Sequence, residues 1–186
     1  MENSFEGFVK RAILSLNDSG TDYVIIGGFA AIIYSRSRMT MDIDVIINIK
    51  STESDKINKL VTSFEKKEFD VLESEVVAAL KEKSHLSIFD KNSPFRIDIK
   101  STFSELDIIA LKNKRQFEIF NLETWIEDPC DLIIAKLIYG SKQDIEDIVA
   151  VLLNFKDDLN FEYLYKRAKK ENVYEKLQKL IDKLGF

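Results

Sequence analysis

The chain has 186 residues, of which 45% are hydrophobic and 32% charged, and its net charge is −5. This composition is typical of a globular domain, and a chain of this length buries about 70% of its unfolded surface. One cysteine and one histidine exclude an intrachain disulfide, a cysteine-rich zinc site and a metal site of paired histidines. The acidic balance argues against binding nucleic acid mainly through its phosphates. No apolar run is long enough for a bilayer, and the start is not a signal peptide, so we expect a cytoplasmic protein with no membrane partner.

An α/β part is predicted for residues 1–127, because short apolar runs typical of strands alternate with segments of helical spacing. In chain order, the pattern predicts a helix over 4–16, a strand over 23–26, a helix over 29–35, a strand over 41–49, a helix over 53–67, a strand over 69–72, a helix over 74–82, strands over 85–89 and 95–99, and a strand over 116–126. Residues 104–113 stay ambiguous. Capping boxes of Asn3 with Glu6 and of Thr52 with Asp55 are expected at two of the helix starts.

Residues 128–186 are predicted to form a helical subdomain. Asp128 is the expected N-cap of its first helix, with Pro129 at the first helical position. Ser141 and Asp144 form the expected capping box of the second helix. The predicted helices run over 129–139, 142–153, 161–170 and 172–184.

Two adjacent glycines, Gly27 and Gly28, separate the first strand from the helix that follows it. Such a corner admits positive φ angles and a close approach of a ligand to the backbone. The free N–H groups of a helix that begins there suit a phosphate. A tight turn without any ligand explains the same pair of residues, so the glycines alone leave both interpretations open.

Asp42 and Asp44 lie two residues apart on a predicted strand, which places both carboxylates on one side. Two such anions repel each other, and one takes up a proton unless a cation lies between them. Mg²⁺ is such a cation, since it prefers oxygen ligands and keeps positions open for phosphate oxygens. The alternative is the solvated face of an edge strand. The apolar neighbours Ile43, Val45 and Ile47 indicate a central strand and favour the metal site.

Asp98 lies in a second strand-like segment, in which Arg96, Asp98 and Lys100 share a face. If this strand lies beside the strand of Asp42 and Asp44, three carboxylates converge. The alternative is a salt bridge between Asp98 and one of its two basic neighbours on an exposed face. The pattern leaves these two interpretations open.

Taken together, these features resemble the DNA polymerase beta-like nucleotidyltransferase superfamily. The resemblance is greatest to its small prokaryotic branch, which includes minimal nucleotidyltransferases and abortive-infection toxin-type enzymes. The residues that carry it are Gly27-Gly28, Asp42-Ile43-Asp44, Asp98, the segment 127–136, and Asp144 with Asp147. The resemblance implies an α/β (α+β) fold, with a nucleotidyltransferase-type mixed sheet flanked by helices and then the helical subdomain.

The resemblance also implies a Mg²⁺-dependent enzyme, with Mn²⁺ as an alternative metal, that moves a nucleoside monophosphate from an NTP such as ATP to a hydroxyl group. The implied catalytic and metal-binding residues are Asp42, Asp44 and Asp98. The implied nucleotide-binding residues are Gly27, Gly28, Arg36, Arg38, Thr40 and Lys136. The implied acceptor is an RNA end such as that of tRNA, a protein or a small molecule. The branch also suggests a toxin whose partner is an antitoxin protein.

The acidic surface and a departure from the family pattern at Gly28 keep a second hypothesis open, and a further departure concerns the helical part. Gly28 stands where a serine that touches phosphate is common, and the segment 141–143 contains no arginine. The alternative is a catalytically inactive nucleotidyltransferase-like module that binds a ligand or a partner. His85 and Cys130 are expected to be structural, whereas Asp144 and Asp147 either cap a helix or line the cleft.

Overall fold

The computed structural model of the protein describes residues 4–35 and 39–185, so Arg36 and Arg38 lie outside the described residues, as does Asn3. The described elements are α1 (Phe5–Ser19), β1 (Tyr23–Ile26), α2 (Gly27–Ser35), β2 (Asp42–Ile47), α3 (Ser54–Glu65), β3 (Phe69–Asp70), α4 (Glu73–Glu82), β4 (Leu86–Asp90), β5 (Arg96–Ser101), α5 (Glu105–Asn113), β6 (Arg115–Ile119), β7 (Leu122–Ile126), α6 (Pro129–Tyr139), α7 (Lys142–Phe155), α8 (Phe161–Lys170) and α9 (Tyr174–Leu184), with a short 3₁₀ helix at Lys156–Asp158.

A seven-stranded mixed sheet in the order β3-β4-β5-β2-β1-β7-β6 organises the fold. The pairs β2–β5 and β1–β7 are parallel, and the other pairs are antiparallel. β2 is therefore the central strand, as its apolar neighbours predicted. The predicted α/β class with a mixed sheet flanked by helices is confirmed.

The two faces of the sheet are covered differently. One face carries the main core, in which Ile43 of β2 shares a cluster with Ile13 of α1. On the other face, Val24 and Ile46 pack against Ala110 of α5. Side chains alternate between the faces of a strand, so the aspartates of β2 lie on the face of α5 and not in the main core.

The helices after β7 pack against α2 and against one another. α6 and α7 both contact α2, and α8 contacts α6. The hydroxyl group of Tyr34 on α2 donates to the carbonyl oxygen of Glu127 at 2.6 Å, and its ring packs edge-on against Phe155 of α7. The division into domains 1–127 and 128–186 stays a prediction. Within the described ranges, no helix combines the length and the apolar character needed to cross a membrane.

Two predicted helix starts differ from the structure. The N-cap of α1 is Ser4, whose Oγ accepts from the Gly7 backbone N–H at 3.1 Å, and the helix continues beyond the predicted end at residue 16 to Ser19. α3 begins after Glu53 without a side-chain cap, so the expected box of Thr52 with Asp55 is wrong. The caps of α6 and α7 at Asp128 and at Ser141 with Asp144 are confirmed.

The single strand predicted over 116–126 is instead the hairpin of β6 and β7. Phe120 and Asn121 form its two-residue loop, and both have positive φ, as a type I′ turn requires. Neither residue is glycine, which is why the turn left no clear signal in the sequence. The ambiguous segment 104–113 forms α5, which a capping box of Ser104 with Asp107 begins.

Candidate active site

Three aspartates meet on one face of two neighbouring parallel strands. β5 lies directly beside β2, and the register pairs Asp42 with Arg96 and Asp44 with Asp98. All four side chains point to the face that α5 covers only in part, since alternate residues of a strand share a face. The structure therefore brings together the three carboxylates, a convergence that the sequence pattern alone left open.

Arg96 lies between two of these carboxylates. Its guanidinium group contacts Asp42 at 3.1 Å and Asp98 at 3.0 Å. Hydroxyl groups add to this arrangement, because Thr40 donates to Asp42 at 2.7 Å and Ser87 donates to Asp98 at 2.5 Å. Asp98 thus forms the salt bridge with Arg96 that was one of the two interpretations of the sequence. With the side chains placed in this way, residues 4–35 and 39–185 contain no group of three metal-ligating side chains that could hold one ion.

Asp44 is the carboxylate whose charge is least compensated. Burial raises its pKa, and the negative charges of Asp42 and Asp98 raise it further. The backbone N–H of Gly28 acts in the opposite direction by donating to the carboxylate. A cation at this position would favour the charged form of Asp44, because an opposite charge nearby stabilises an ionised carboxylate.

The glycine corner packs directly against Asp44. Gly27 has a φ of +67°, and a Cβ atom there would lie 2.4 Å from Oδ2 of Asp44. Both the backbone conformation and the space therefore require glycine at this position. α2 begins at Gly27, so its first N–H groups, which lack partners within the helix, lie beside the aspartates.

The aspartates lie in a cleft of about 770 Å³. The aspartate-bearing face of the sheet forms one wall of the cleft, and residues of α6 and of the start of α7 contribute to the other. The predicted site residues that line it are Gly27, Gly28, Thr40, Asp42, Asp44, Asp98 and Lys136. Arg36 and Arg38 lie outside the described residues, so the structure does not place them.

Lys136 is held in the wall of the cleft by two acids. Its side chain is only 7% exposed and contacts Asp144 at 3.0 Å and Asp147 at 2.8 Å. Asp144 also completes the capping box of α7 with Ser141, and it lines the cleft. Both interpretations of Asp144 thus apply together. Asp147 is almost fully buried behind Lys136.

Glu127 is a cleft residue that sequence reasoning did not single out. It follows β7 directly, it is 5% exposed, and it lines the cleft. Burial, followed by the charge of Asp131, raises its pKa to about 8. Its signal in the sequence is its place between an apolar strand and the Asp128-Pro129 helix start, within the segment 127–136 that resembles the family.

His85 and Cys130, which were both expected to be structural, lie in different surroundings. His85 is exposed and lines the cleft near Asp44. Cys130 is buried in the first turn of α6, and burial raises the pKa of its thiol to about 12. A thiol with such a high pKa is not a reactive nucleophile at neutral pH.

The sheet, the glycine corner and the aspartate-lined cleft together define the nucleotidyltransferase class. The chain belongs to the family described as a nucleotidyltransferase of unknown function (DUF6036), whose sequence profile matches residues 8–183. The resemblance inferred from the sequence is thereby confirmed.

Solved structures with the same fold include several nucleotidyltransferase-like proteins. ANT(2'')-Ia in complex with adenylyl-2''-tobramycin is 11% identical with a TM-score of 0.59, and the match covers 90% of this chain and 96% of that one. An antigenic nucleotidyltransferase-like protein from Paracoccidioides brasiliensis is 18% identical with a TM-score of 0.54, covering 79% and 74%. JHP933 from Helicobacter pylori is 14% identical with a TM-score of 0.50, covering 95% and 76%. At these identities the likeness shows the fold alone. Among the curated proteins none matches the sequence.

Proposed function

We propose that the protein transfers a nucleoside monophosphate from an NTP to a hydroxyl acceptor in a Mg²⁺-dependent reaction. The observation that carries this proposal is the register of β2 and β5, which places Asp42, Asp44 and Asp98 on one face beneath the glycine corner of α2. Carboxylates and a helix N-terminus then converge on one cleft. This combination suits a metal-bound triphosphate.

The residues present fit a divalent cation by their chemistry. Asp42, Asp44 and Asp98 offer the hard oxygen ligands that Mg²⁺ prefers. Burial, and then the charges of Asp42 and Asp98, raise the pKa of Asp44, and a bound cation would favour its ionised form. These three residues would hold the metal, with Mn²⁺ as an alternative. Bound there, a divalent cation supplies charge neutralisation for the phosphates and a lower pKa for a hydroxyl group. In the present arrangement Arg96 supplies positive charge to Asp42 and Asp98.

The chain's own groups account for the binding of the triphosphate. Gly28 lacks the hydroxyl group that the family pattern implies at this position, so we assign the phosphate contact to backbone N–H groups in the first turn of α2. Lys136 adds a fixed positive charge on the opposite wall, and Thr40 lies beside Asp42. We assign Arg36 and Arg38 the same phosphate-binding role from the sequence alone.

The proposed reaction is an in-line displacement at the α-phosphorus. The acceptor oxygen forms a bond to the α-phosphorus, and the bond from that phosphorus to the bridging oxygen breaks. Pyrophosphate leaves, and Asp98 accepts the proton of the acceptor hydroxyl group. The fixed donors around the cleft stabilise the charge that develops on the phosphate oxygens.

Transfer of label from each α-labelled NTP to components of a host lysate tests this proposal. We expect Mg²⁺-dependent labelling by the wild-type protein and a loss of at least a hundredfold in Asp44→Asn, because that variant removes a ligand charge without changing the shape of the side chain. Unchanged labelling by Asp44→Asn would contradict the proposal. Identification of the labelled species distinguishes an RNA end, a protein and a small molecule as acceptors.

Two observations favour the alternative of an inactive binding module. Arg96 contacts Asp42 and Asp98, as a bound cation otherwise would, and Gly28 lacks the hydroxyl group. An inactive module predicts that the protein binds nucleotide without any labelling in the same assay.

A toxin role, with an antitoxin as partner, predicts growth arrest on expression of the wild-type protein and none with Asp44→Asn.

A further inference from the structure

Glu127 lies on the same face of the sheet as the aspartates. Its backbone N–H donates to the Ile25 carbonyl oxygen at 2.9 Å, which continues the pairing of β7 with β1 by one residue. Ile126 belongs to the main core, so Glu127 points to the opposite face, and its position in the cleft wall agrees with this. Ile26 pairs with Asp44 and lies between the two acids.

The position of Glu127 separates it from the proposed metal site. Two strand spacings of about 4.8 Å place its backbone about 10 Å from that of Asp44. At this distance Glu127 does not share a cation with Asp42, Asp44 and Asp98. It is nevertheless in the same cleft, where another part of the bound substrates would lie.

Among the residues that the structure describes, none forms a hydrogen bond or ion pair with the carboxyl group of Glu127. The residue is only 5% exposed, but its oxygens are not among the fully buried atoms that lack a partner, so they face the open cleft. Because so little of the residue is exposed, water solvates the carboxyl group poorly, and a ligand group in the cleft can supply the partner that the described protein groups do not. An unpartnered carboxyl group in a cleft wall therefore indicates a ligand contact.

The surrounding charges favour a positively charged or N–H-donating ligand group. The groups that act on Glu127 are Asp128 and Asp131 at the start of α6, Lys136 further along α6, and Lys100 on β5. Both lysines are engaged elsewhere. Lys100 contacts Asp107 of α5 at 2.7 Å, and Lys136 contacts Asp144 and Asp147 of α7. The protein thus commits its nearby cations to other acids.

We propose that Glu127 is a substrate-binding residue that accepts a hydrogen bond from an amino group of the bound substrates. This inference rests on the proposed function. The amino group belongs either to the nucleobase or to the acceptor molecule. In both cases Glu127 contributes to substrate selection and not to the transfer step itself.

Calorimetry with uncleavable α,β-methylene analogues of ATP and of inosine triphosphate tests the nucleobase as the source, since only the first carries an exocyclic amino group. If Glu127 contacts the base, the wild-type protein binds the ATP analogue about tenfold more tightly, and Glu127→Gln loses this preference. Glu127→Asp, which shortens the side chain, is a second variant that retains the carboxyl group, and we expect an intermediate preference.

Ethanolamine, with ethylene glycol as the amine-free control, tests the acceptor as the source in the presence of the ATP analogue. If Glu127 contacts the acceptor amine, ethanolamine binding at pH 7 releases about one proton, because the ammonium group favours the ionised form of the carboxyl group. Titration in two buffers of different ionisation enthalpy measures this proton release. We expect none with Glu127→Gln or with ethylene glycol.

The control variant is Glu123→Gln, the same substitution at an exposed position of β7 outside the cleft. The inference is overturned if Glu127→Gln matches the wild-type protein and this control in both titrations. That result would leave the proposed function intact as long as the ATP analogue binds. If instead the wild-type protein binds no nucleotide in the presence of Mg²⁺, the proposed function itself fails.

Discussion

At the scale of single residues, Gly27 packs directly against Asp44 in the cleft. We expect Gly27→Ala to lower the free energy of unfolding by about 2–3 kcal/mol, since it adds backbone strain and a clash with Asp44. Gly20→Ala is the matched control, because Gly20 has nearly the same φ but no heavy atom within 4 Å of an added Cβ. Its cost should be about 1 kcal/mol. Urea unfolding of both variants measures the difference, and equal costs would show that contact with Asp44 contributes nothing.

Glu127 makes stability depend on pH in a defined direction. Its pKa is about 8 in the folded protein and about 4.3 in the unfolded chain, so the folded state binds the proton more tightly between these values. The stabilisation is complete below the lower pKa and is lost as the pH rises through the higher one, by at most about 1.4 kcal/mol for each pH unit. Glu127→Gln removes this contribution.

Urea unfolding at pH 5.5 and 8.5 checks this expectation. The loss of stability between the two pH values should be smaller in Glu127→Gln than in the wild-type protein. Glu123→Gln should retain the wild-type difference, since its side chain is exposed. An identical pH dependence in all three proteins would show that Glu127 ionises normally in the fold.

At the scale of elements, the start of α7 couples helix stability to the cleft. Ser141→Ala removes the hydroxyl group that caps the helix and that donates to Asp144, a partner of Lys136. We expect it to lower the free energy of unfolding by about 1 kcal/mol and to weaken binding of the ATP analogue.

Asn160→Ala is the control for the cap alone. It removes the cap of α8, where the Asn160 side chain accepts from the Tyr163 backbone N–H at 3.0 Å, and Asn160 does not line the cleft. A similar stability loss with unchanged nucleotide affinity is expected, as measured by urea unfolding and calorimetry. Equal affinities in the two variants would indicate that Ser141 acts only on the helix.

Element boundaries were predictable where local chemistry marks them. Asp128-Pro129 and the box of Ser141 with Asp144 fix helix starts through side-chain caps, and both are confirmed. The β6–β7 hairpin was missed because Phe120 and Asn121, both exposed, adopt positive φ without a glycine to mark the turn. The strand predicted over 69–72 is shorter in the structure, because only Phe69 and Asp70 pair with β4.

At the scale of the whole molecule, the sequence indicated the fold through the order of its elements but not the depth of the cleft. The parallel pairing of β2 with β5 brings Asp98 to Asp44 across 54 positions of sequence, and the sequence pattern offered this convergence only as one of two interpretations. The contacts of Arg96 with Asp42 and Asp98 and the burial of Glu127 depend on how several elements pack. Such distant contacts leave no periodic signal in a single sequence.

The central claim is that the aspartate face binds a metal-bound triphosphate, and the Mg²⁺ dependence of nucleotide binding tests it most directly. Calorimetry with the uncleavable ATP analogue, with and without Mg²⁺, compares the wild-type protein with Asp44→Asn and with Asp70→Asn, which changes an exposed aspartate on β3. We predict that Mg²⁺ strengthens binding at least tenfold in the wild-type protein and in Asp70→Asn, and not in Asp44→Asn. Binding that is indifferent to Mg²⁺ in the wild-type protein, or equally Mg²⁺-dependent in Asp44→Asn, would contradict the claim.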